Sequence, residues 1–242
     1  MPLINKAPGH DPDVWLFDLD NTLYPARCNL FAQIDVRIGR YVADLLKVDV
    51  DEARRVQKQY WREHGTSLRG MMTLHDVDPT HFLDYVHDID YSPVEASPAL
   101  EASLKALPGR KIIFTAGDVP HAERVMERLG VAHHFEAIFD IAAGDYWPKP
   151  HKQIYEKLVV KHGVDPARAC MADDIAINLK PACDMGMRTV WMQRYLRGAI
   201  HDPRKHVEVG VHPCPKPPYV CARIKRIQPL RSLWCTRDEL PS

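Results

Sequence analysis

From Asp13 to Met192 the chain alternates between short unbroken apolar runs and longer stretches whose apolar residues recur every three or four positions. Val14-Trp15-Leu16-Phe17 is the first run, and its lack of polar alternation predicts a strand buried on both faces. After Tyr24-Pro25 the period changes. Leu30, Phe31, Ile34, Ile38, Tyr41, Val42, Leu45 and Leu46 fall at helical spacing, with Asn29 as the expected N-cap. Asp51 is read as the cap of a second helix reaching His64, with Val56 and Tyr60 on its inner face, broken by Gly65-Thr66-Ser67. A looser stretch, Leu68 to Val77, leads to a short helix with Pro79 near its start and Phe82, Leu83 and Val86 inside. Tyr91-Ser92-Pro93 and Ser97-Pro98 close this helical segment.

From Ala99 onward, helices and strands take turns. A helix to Leu107 stops at Pro108-Gly109, and Lys111 to Phe114 reads as a strand. His121 to Leu129 (helix, ended by Gly130) and Ala137 to Phe139 (strand) come next, then His151 to His162 (helix, ended by Gly163) and Ala169 to Met171 (strand). Ile177 to Met185, ended by Gly186, and Thr189 to Met192 complete the series. Helix-Gly-strand repeated in this way predicts a doubly wound parallel sheet. The first strand must join that sheet. The fold class is therefore α/β: a Rossmann-like doubly wound parallel sheet core with an inserted all-helical cap domain. The expected division is 1–26 and 96–198 as core, 27–95 as cap, and 199–242 as a C-terminal extension.

Composition narrows the classes of partner. Lys+Arg and Asp+Glu are 32 each, so net charge points neither to nucleic acid nor to a membrane surface. The first twelve residues lack an apolar run, which argues against a signal peptide, and no stretch approaches the roughly 20 apolar residues of a membrane span. A cytoplasmic protein is the expectation. Six cysteines are scattered without a C-x-x-C pair, arguing against both a disulfide framework and zinc, and no H-E-x-x-H occurs among thirteen histidines. His133-His134 read as ordinary loop histidines. Residues 199–242, with Pro213 to Pro218 at their centre and a basic excess, read as a loosely packed or disordered extension, with a Pro-rich recognition tail or an RNA-touching arm as lesser alternatives. Arg237 to Leu240 resembles an ER retention signal but is not terminal.

The chemistry begins where the first strand ends. Asp18 and Asp20 flank Leu19 at the edge where open α/β sheets place their ligands, and spacing of two turns both carboxylates toward one side of an extended chain. Two such acids repel unless a cation or proton lies between them. By itself D-x-D is equally a pair of solvated turn aspartates. Asp18-Leu-Asp-Asn-Thr-Leu23 after an apolar strand, however, resembles the first motif of the haloacid dehalogenase superfamily. Ile112-Ile113-Phe114-Thr115, then Lys149-Pro150, then Met171-Ala172-Asp173-Asp174 with Asn178, occur in the same order as in that superfamily. Singly, each has a plainer reading: a strand-end hydroxyl, a surface lysine, a helix cap, an exposed polar residue.

The resemblance implies a nucleophile, Asp18, forming an aspartyl-phosphate, and an acid/base, Asp20, that serves leaving group and water in turn. It implies Mg2+ held by Asp18, the backbone carbonyl of Asp20, Asp174 and, directly or through water, Asp173. Thr115 would bind a phosphate oxygen with the N–H groups of Ala116 and Gly117, Asn21, on the loop after Asp18, is a further candidate substrate contact, and Lys149 would neutralise charge and hold Asp18, on a loop pinned by Pro148 and Pro150. Dehalogenases of the superfamily lack the second acid, so Asp20 points to phosphate esters. The cap segment, with Asp20-Asn-Thr-Leu-Tyr-Pro25, Leu30-Phe31, Gly65 to Gly70 and Phe82 to Asp88, resembles the pyrimidine 5′-nucleotidase-like branch. Arg69 and His75, in the loose loop between cap helices, are then candidate base or ribose contacts, with solvated loop residues the alternative. Two departures stand out: Ala116 where many relatives have Asn, and the tail. The expected partner is a small phosphorylated metabolite, foremost a nucleoside monophosphate. Another small phosphate ester, or a catalytically silent partner-binding protein, are the alternatives.

Overall fold

The computed structural model describes residues 11–193, 216–225, 227 and 230. Six parallel strands form one sheet in the order β3-β2-β1-β4-β5-β6: β1 Val14–Phe17, β2 Arg110–Phe114, β3 Ala137–Phe139, β4 Ala169–Asp173, β5 Arg188–Met192 and β6 Ala222–Ile224. The first strand lies between β2 and β4, with Leu16 opposite Ile112 on one side and Met171 on the other. Its unbroken apolar run has the predicted cause. Trp15 and Phe17 enter one core layer, while Val14 and Leu16 enter the layer on the opposite face. Helices α5 Pro98–Ala106 and α6 Val119–Leu129 cover the first face through Leu100, Leu104, Val125 and Met126. Helices α7 Lys152–His162 and α8 Leu179–Asp184 cover the second through Ile154, Leu158, Leu179 and Ala182. This is the doubly wound arrangement, with every strand pointing its carboxyl end to the same edge.

Between β1 and β2 run four helices: α1 Leu30–Leu46, α2 Val50–His64, α3 Ser67–His75 and α4 Pro79–Val86. They pack on each other around Ile34, Val42, Ala53, Tyr60, Met71, Phe82 and Val86, a cluster separate from the two sheet cores. Three local expectations are corrected here. Asn29 precedes α1 but makes no side-chain cap; it takes a left-handed φ of 59° and closes a short turn, Ala26–Cys28, by donating its N–H to Ala26. Asn tolerates that conformation, so its position marks the end of the turn as much as the start of the helix. The cap of α2 is Asp49, not Asp51: its carboxylate accepts from the N–H groups of Asp51 and Glu52, and Asp51 sits in the first turn. The stretch after Leu68 is not loose but helical, capped by the Thr66 hydroxyl on the N–H of Arg69. Gly70 concealed it. A Cβ there would lie 2.5 Å from Cβ of Tyr60, so the residue that weakens the helical pattern is what lets α3 pack against α2.

The described part of the tail also corrects the sequence reading. Residues 222–224 add the sixth strand in parallel to β5, pairing Val190 with Ala222 and Met192 with Ile224, and Val220, Ile224, Ile227 and Leu230 are buried. A three-residue edge strand between Pro218 and Pro229 gives no periodic signal, and prolines are tolerated beside an edge. The start of the Pro-rich run, residues 213–215, the Arg237 to Leu240 motif, Cys214 and Cys235 lie outside the described residues. Among the described residues, Cys170, Cys183 and Cys221 are not in disulfides. No helix among the described residues is long and apolar enough to cross a membrane.

Candidate active site

The carboxyl edge of the sheet gathers the motif residues from four separate stretches. Asp18 continues the ladder of β1 by donating its N–H to the Ala172 carbonyl at 2.9 Å. The chain then turns through Asp20, Asn21 and Thr22, with Asn21 at φ 62°. That turn brings the Thr22 hydroxyl back to Asp18 Oδ2 at 2.7 Å. Lys149 reaches in from the loop before α7, and its ammonium donates to Asp18 Oδ1 at 2.7 Å, Asp173 Oδ2 at 2.8 Å and the Phe114 carbonyl at 2.9 Å. Its three donors are thereby all used. Asp173, the fully buried last residue of β4, also accepts from Asn178 Nδ2 at 3.1 Å on both oxygens and from the Ile175 N–H at 2.7 Å. Asn178 thus braces Asp173 and is itself buried, not the exposed polar residue of its plainer reading. Carboxylate oxygens of Asp18, Asp173 and Asp174 lie within 4.8 Å of one another.

Thr115 comes directly after β2 and is buried, and its hydroxyl accepts the Gly117 N–H at 3.0 Å. The two groups expected to face a phosphate oxygen are here bonded to each other. The backbone of Ala116 and Gly117 leads into α6, whose N-cap is Asp118.

Asp20 has a different set of neighbours, most of which sequence reasoning missed. Its Oδ1 accepts from the Tyr24 hydroxyl and lies 2.9 Å from Nε2 of the completely buried His121. The other ring nitrogen of His121 lies 3.0 Å from the Tyr91 hydroxyl, and its ring stacks on His87 at 4.4 Å. A signal for His121 was present. Histidine in the first turn of a helix, three residues after an Asp cap and near a glycine, is poorly placed for the helix dipole and so wants another reason to be there.

The two aspartates are pushed in opposite directions. Burial, with Asp173 and Asp20 nearby, outweighs Lys149 and raises Asp18 to about 7. Burial also works to raise Asp20, but His121, the Tyr24 hydroxyl and His87 overcome it and hold this carboxyl well below the usual range. Lys149, though disfavoured by burial, is raised by Asp173 and Asp18 and stays charged. His121 is likewise raised by Asp20 against the effect of burial.

Of the two cap residues singled out from sequence, one reaches the core. Arg69 on α3 lays its guanidinium over the Trp147 ring, 3.2 Å from the centroid, two residues before Lys149. His75 instead hydrogen-bonds Tyr60 at 2.6 Å, and neither this bond nor the ring contact with Tyr60 connects it to the acidic cluster. Both residues sit on a helix, not in a loop.

A doubly wound core with a helical insertion after β1 and an acidic cluster at its carboxyl edge defines the architecture. Residues 12–185 match the profile of the haloacid dehalogenase-like hydrolases, and the chain belongs to that family. It is 29% identical over 202 residues to phosphate metabolism protein 8 of Saccharomyces cerevisiae, covering 75% of this chain and 62% of that protein; the chain thus spans less than two thirds of that relative's length. Among solved structures it is similar to a HAD phosphatase from Thermococcus onnurineus, with a TM-score of 0.59, 18% identity, and 91% and 97% of the two chains covered. It is also similar to an L-2-haloacid dehalogenase from Xanthobacter autotrophicus, with a TM-score of 0.53, 17% identity, and 92% and 98% covered. At these identities the likeness shows the fold.

Proposed function

We propose that this hydrolase is a phosphomonoesterase in which Asp18 is the nucleophile and Asp20 the acid/base, acting on pyrimidine nucleoside 5′-monophosphates. The observation that carries the reading is the split between the two aspartates: one stands against Lys149 in an acidic cluster, the other against His121 and Tyr24. Environments that push paired carboxyls apart are those that divide their roles.

An oxygen of Asp18 attacks phosphorus, the ester bond breaks, and the departing alkoxide takes a proton from Asp20. Asp20 then removes a proton from water, whose oxygen attacks the aspartyl-phosphate to free inorganic phosphate and restore Asp18. Asp20 rests in the base form. The acid form needed for the first step is favoured when a phosphate dianion arrives beside it, because a neighbouring negative charge raises a carboxyl. Lys149 neutralises the transferring group and holds Asp18. Thr115 exchanges its bond with Gly117 for a phosphate oxygen, joined by the N–H groups of Ala116 and Gly117, with Asn21 on the opposite loop.

The donor set of Asp18, Asp173 and Asp174, all hard oxygens set against a single ammonium, fits Mg2+, with the Asp20 carbonyl as a further ligand. When bound, the ion supplies charge neutralisation between carboxylates and phosphate oxygens. We take the helices within 27–95 as the cap that closes over the leaving group. Arg69 is the cap residue assigned to it, and His75 a weaker candidate at the end of α3. The name of the Saccharomyces cerevisiae relative, a phosphate metabolism protein, agrees with phosphate chemistry.

The test is phosphate release from UMP, CMP, TMP, AMP, GMP, sugar phosphates and phosphoglycolate, with Mg2+ and with EDTA. Pyrimidine nucleotides leading, and EDTA abolishing release, is the expected result. A flat or sugar-led panel removes the nucleotide assignment and leaves a phosphatase for another metabolite. Absence of Mg2+-dependent release from every ester, an activated aryl phosphate included, overturns the enzyme reading in favour of a silent binding protein.

A further inference from the structure

We propose that His121 is a positioning residue that aims Asp20, and that Tyr91 and His87, from the segment returning from cap to core, fix His121 in turn. The inference rests on Asp20 being the acid/base. Among the described residues, the hydrogen-bond contacts of the Asp20 carboxylate with Tyr24 and His121 both fall on Oδ1. Pinning one oxygen fixes the plane of the group and leaves Oδ2 as the oxygen that exchanges a proton with a substrate. Asp20 is the more open side of this pair, with 22% of its side chain exposed against none of His121. It can therefore meet a ligand while its support stays dry. A general acid is effective only when its oxygen is held within reach and in line, and a small misplacement costs far more than the lost contact.

His121 cannot rotate out of this arrangement without breaking several contacts. Its backbone N–H is capped by Asp118 at 2.9 Å, its Nδ1 lies 3.0 Å from Tyr91 Oη, and its ring lies nearly parallel to His87, 20° between planes. The Tyr91 hydroxyl donates to the His87 carbonyl at 2.9 Å, which turns its oxygen toward His121 as an acceptor. His87 Nδ1 lies 3.0 Å from Asp118 Oδ1, which brings the end of α4 beside the start of α6. Gly117 completes the fit, since a Cβ there would come within 2.9 Å of His121 Cδ2. Such a construction is more than a buried histidine needs to satisfy its own nitrogens. It builds a rigid bracket from the cap's return segment to one oxygen of Asp20.

The test compares kcat/KM, which covers the steps through departure of the alcohol, for two esters in the full chain. One is UMP, or whichever alkyl phosphate leads the panel; the other is p-nitrophenyl phosphate, whose leaving group needs no proton. Asp20→Asn serves as reference, with a loss of roughly 10²- to 10⁴-fold on the alkyl ester and much less on the aryl ester. His121→Leu is expected to give the same selective pattern, about 10²-fold on the alkyl ester and within about threefold on the aryl ester. His121→Gln, which keeps a donor near Nε2, restores most of the alkyl activity. Should His121→Leu fail to fold, Tyr91→Phe gives the same selectivity at about 3- to 10-fold. Equal losses on both esters, or no loss beside a selective Asp20→Asn, overturn the inference alone. An unselective Asp20→Asn overturns the acid/base reading and this inference with it.

Discussion

Asp18 and Asp20 leave the same strand end two residues apart, yet their surroundings are built from different parts of the molecule. The partners of Asp18 are Lys149 and Thr22 on core loops, with Asp173 at the end of β4 and Asp174 just beyond it, all at the sheet edge. Those of Asp20 are Tyr24, the first turn of α6, and behind it the residues 87–91 that lead back from the cap. One carboxyl is raised and the other depressed, so a two-residue step along the backbone separates two electrostatic environments. The difference teaches that spacing brings acids to a site, whereas the neighbours each one acquires decide what it does there.

The largest effect expected from this contrast is at Asp18. Asp18→Asn keeps the shape of the side chain and its place beside Thr22 and Lys149 but removes the proposed nucleophile. Turnover should fall roughly 10³-fold or more, on alkyl and aryl esters alike. The measurement is kcat/KM for UMP and p-nitrophenyl phosphate side by side. A variant that spared the aryl ester would merge the two aspartates into one role and break the comparison.

A smaller effect concerns stability. Asp18 has an ordinary value of 3.8 and is raised to about 7 in the folded chain, first by burial. For a raised group, the contribution is intact below the unfolded value and is lost as pH climbs through the folded one. In EDTA, wild type should lose stability relative to Asp18→Asn between about pH 4 and pH 7, at most about 1.4 kcal/mol per pH unit. Thermal melts of both proteins at pH 5 and pH 8 check the sign. Mg2+ should stabilise wild type more at pH 8, because binding calls for ionised carboxylates. A difference between the proteins that stays constant with pH would mean that Lys149 holds Asp18 ionised throughout.

Legibility in the sequence divides along the same line. The core side was legible because three of its residues each end an apolar run: Asp18 after Val14–Phe17, Thr115 after Ile112–Phe114, Asp173 after Ala169–Ala172. Burial on both faces writes those strands into the sequence, and the sheet edge then collects the residues at their carboxyl ends. The Asp20 side was not. His121 reads as the start of an amphipathic helix, and Tyr91 and His87 lie in a connecting segment without period; only the folded chain brings these three together. Helix α3 was lost for a similar reason, as Gly70 serves a tertiary contact at the expense of local pattern. The sixth strand is too short to announce itself.

The smallest effect tests whether the cap contributes chemistry to the substrate or only its own position. Arg69 stacks on Trp147, and Trp147 stacks in turn on His151 at 4.0 Å, with Lys149 on the loop between them. A half-buried cation–π contact of this kind holds about 1 kcal/mol. If Arg69 acts as a latch between α3 and that loop, Arg69→Ala should raise KM about fivefold with kcat nearly unchanged, equally for UMP and p-nitrophenyl phosphate. Trp147→Leu should do the same, and the double variant should be no worse than either alone, since both remove one interaction. A rise confined to UMP would assign Arg69 to the base or ribose instead, because the aryl ester offers neither. In that case the two single losses would add, and the cap would carry the specificity that the strand-end acids of the core do not.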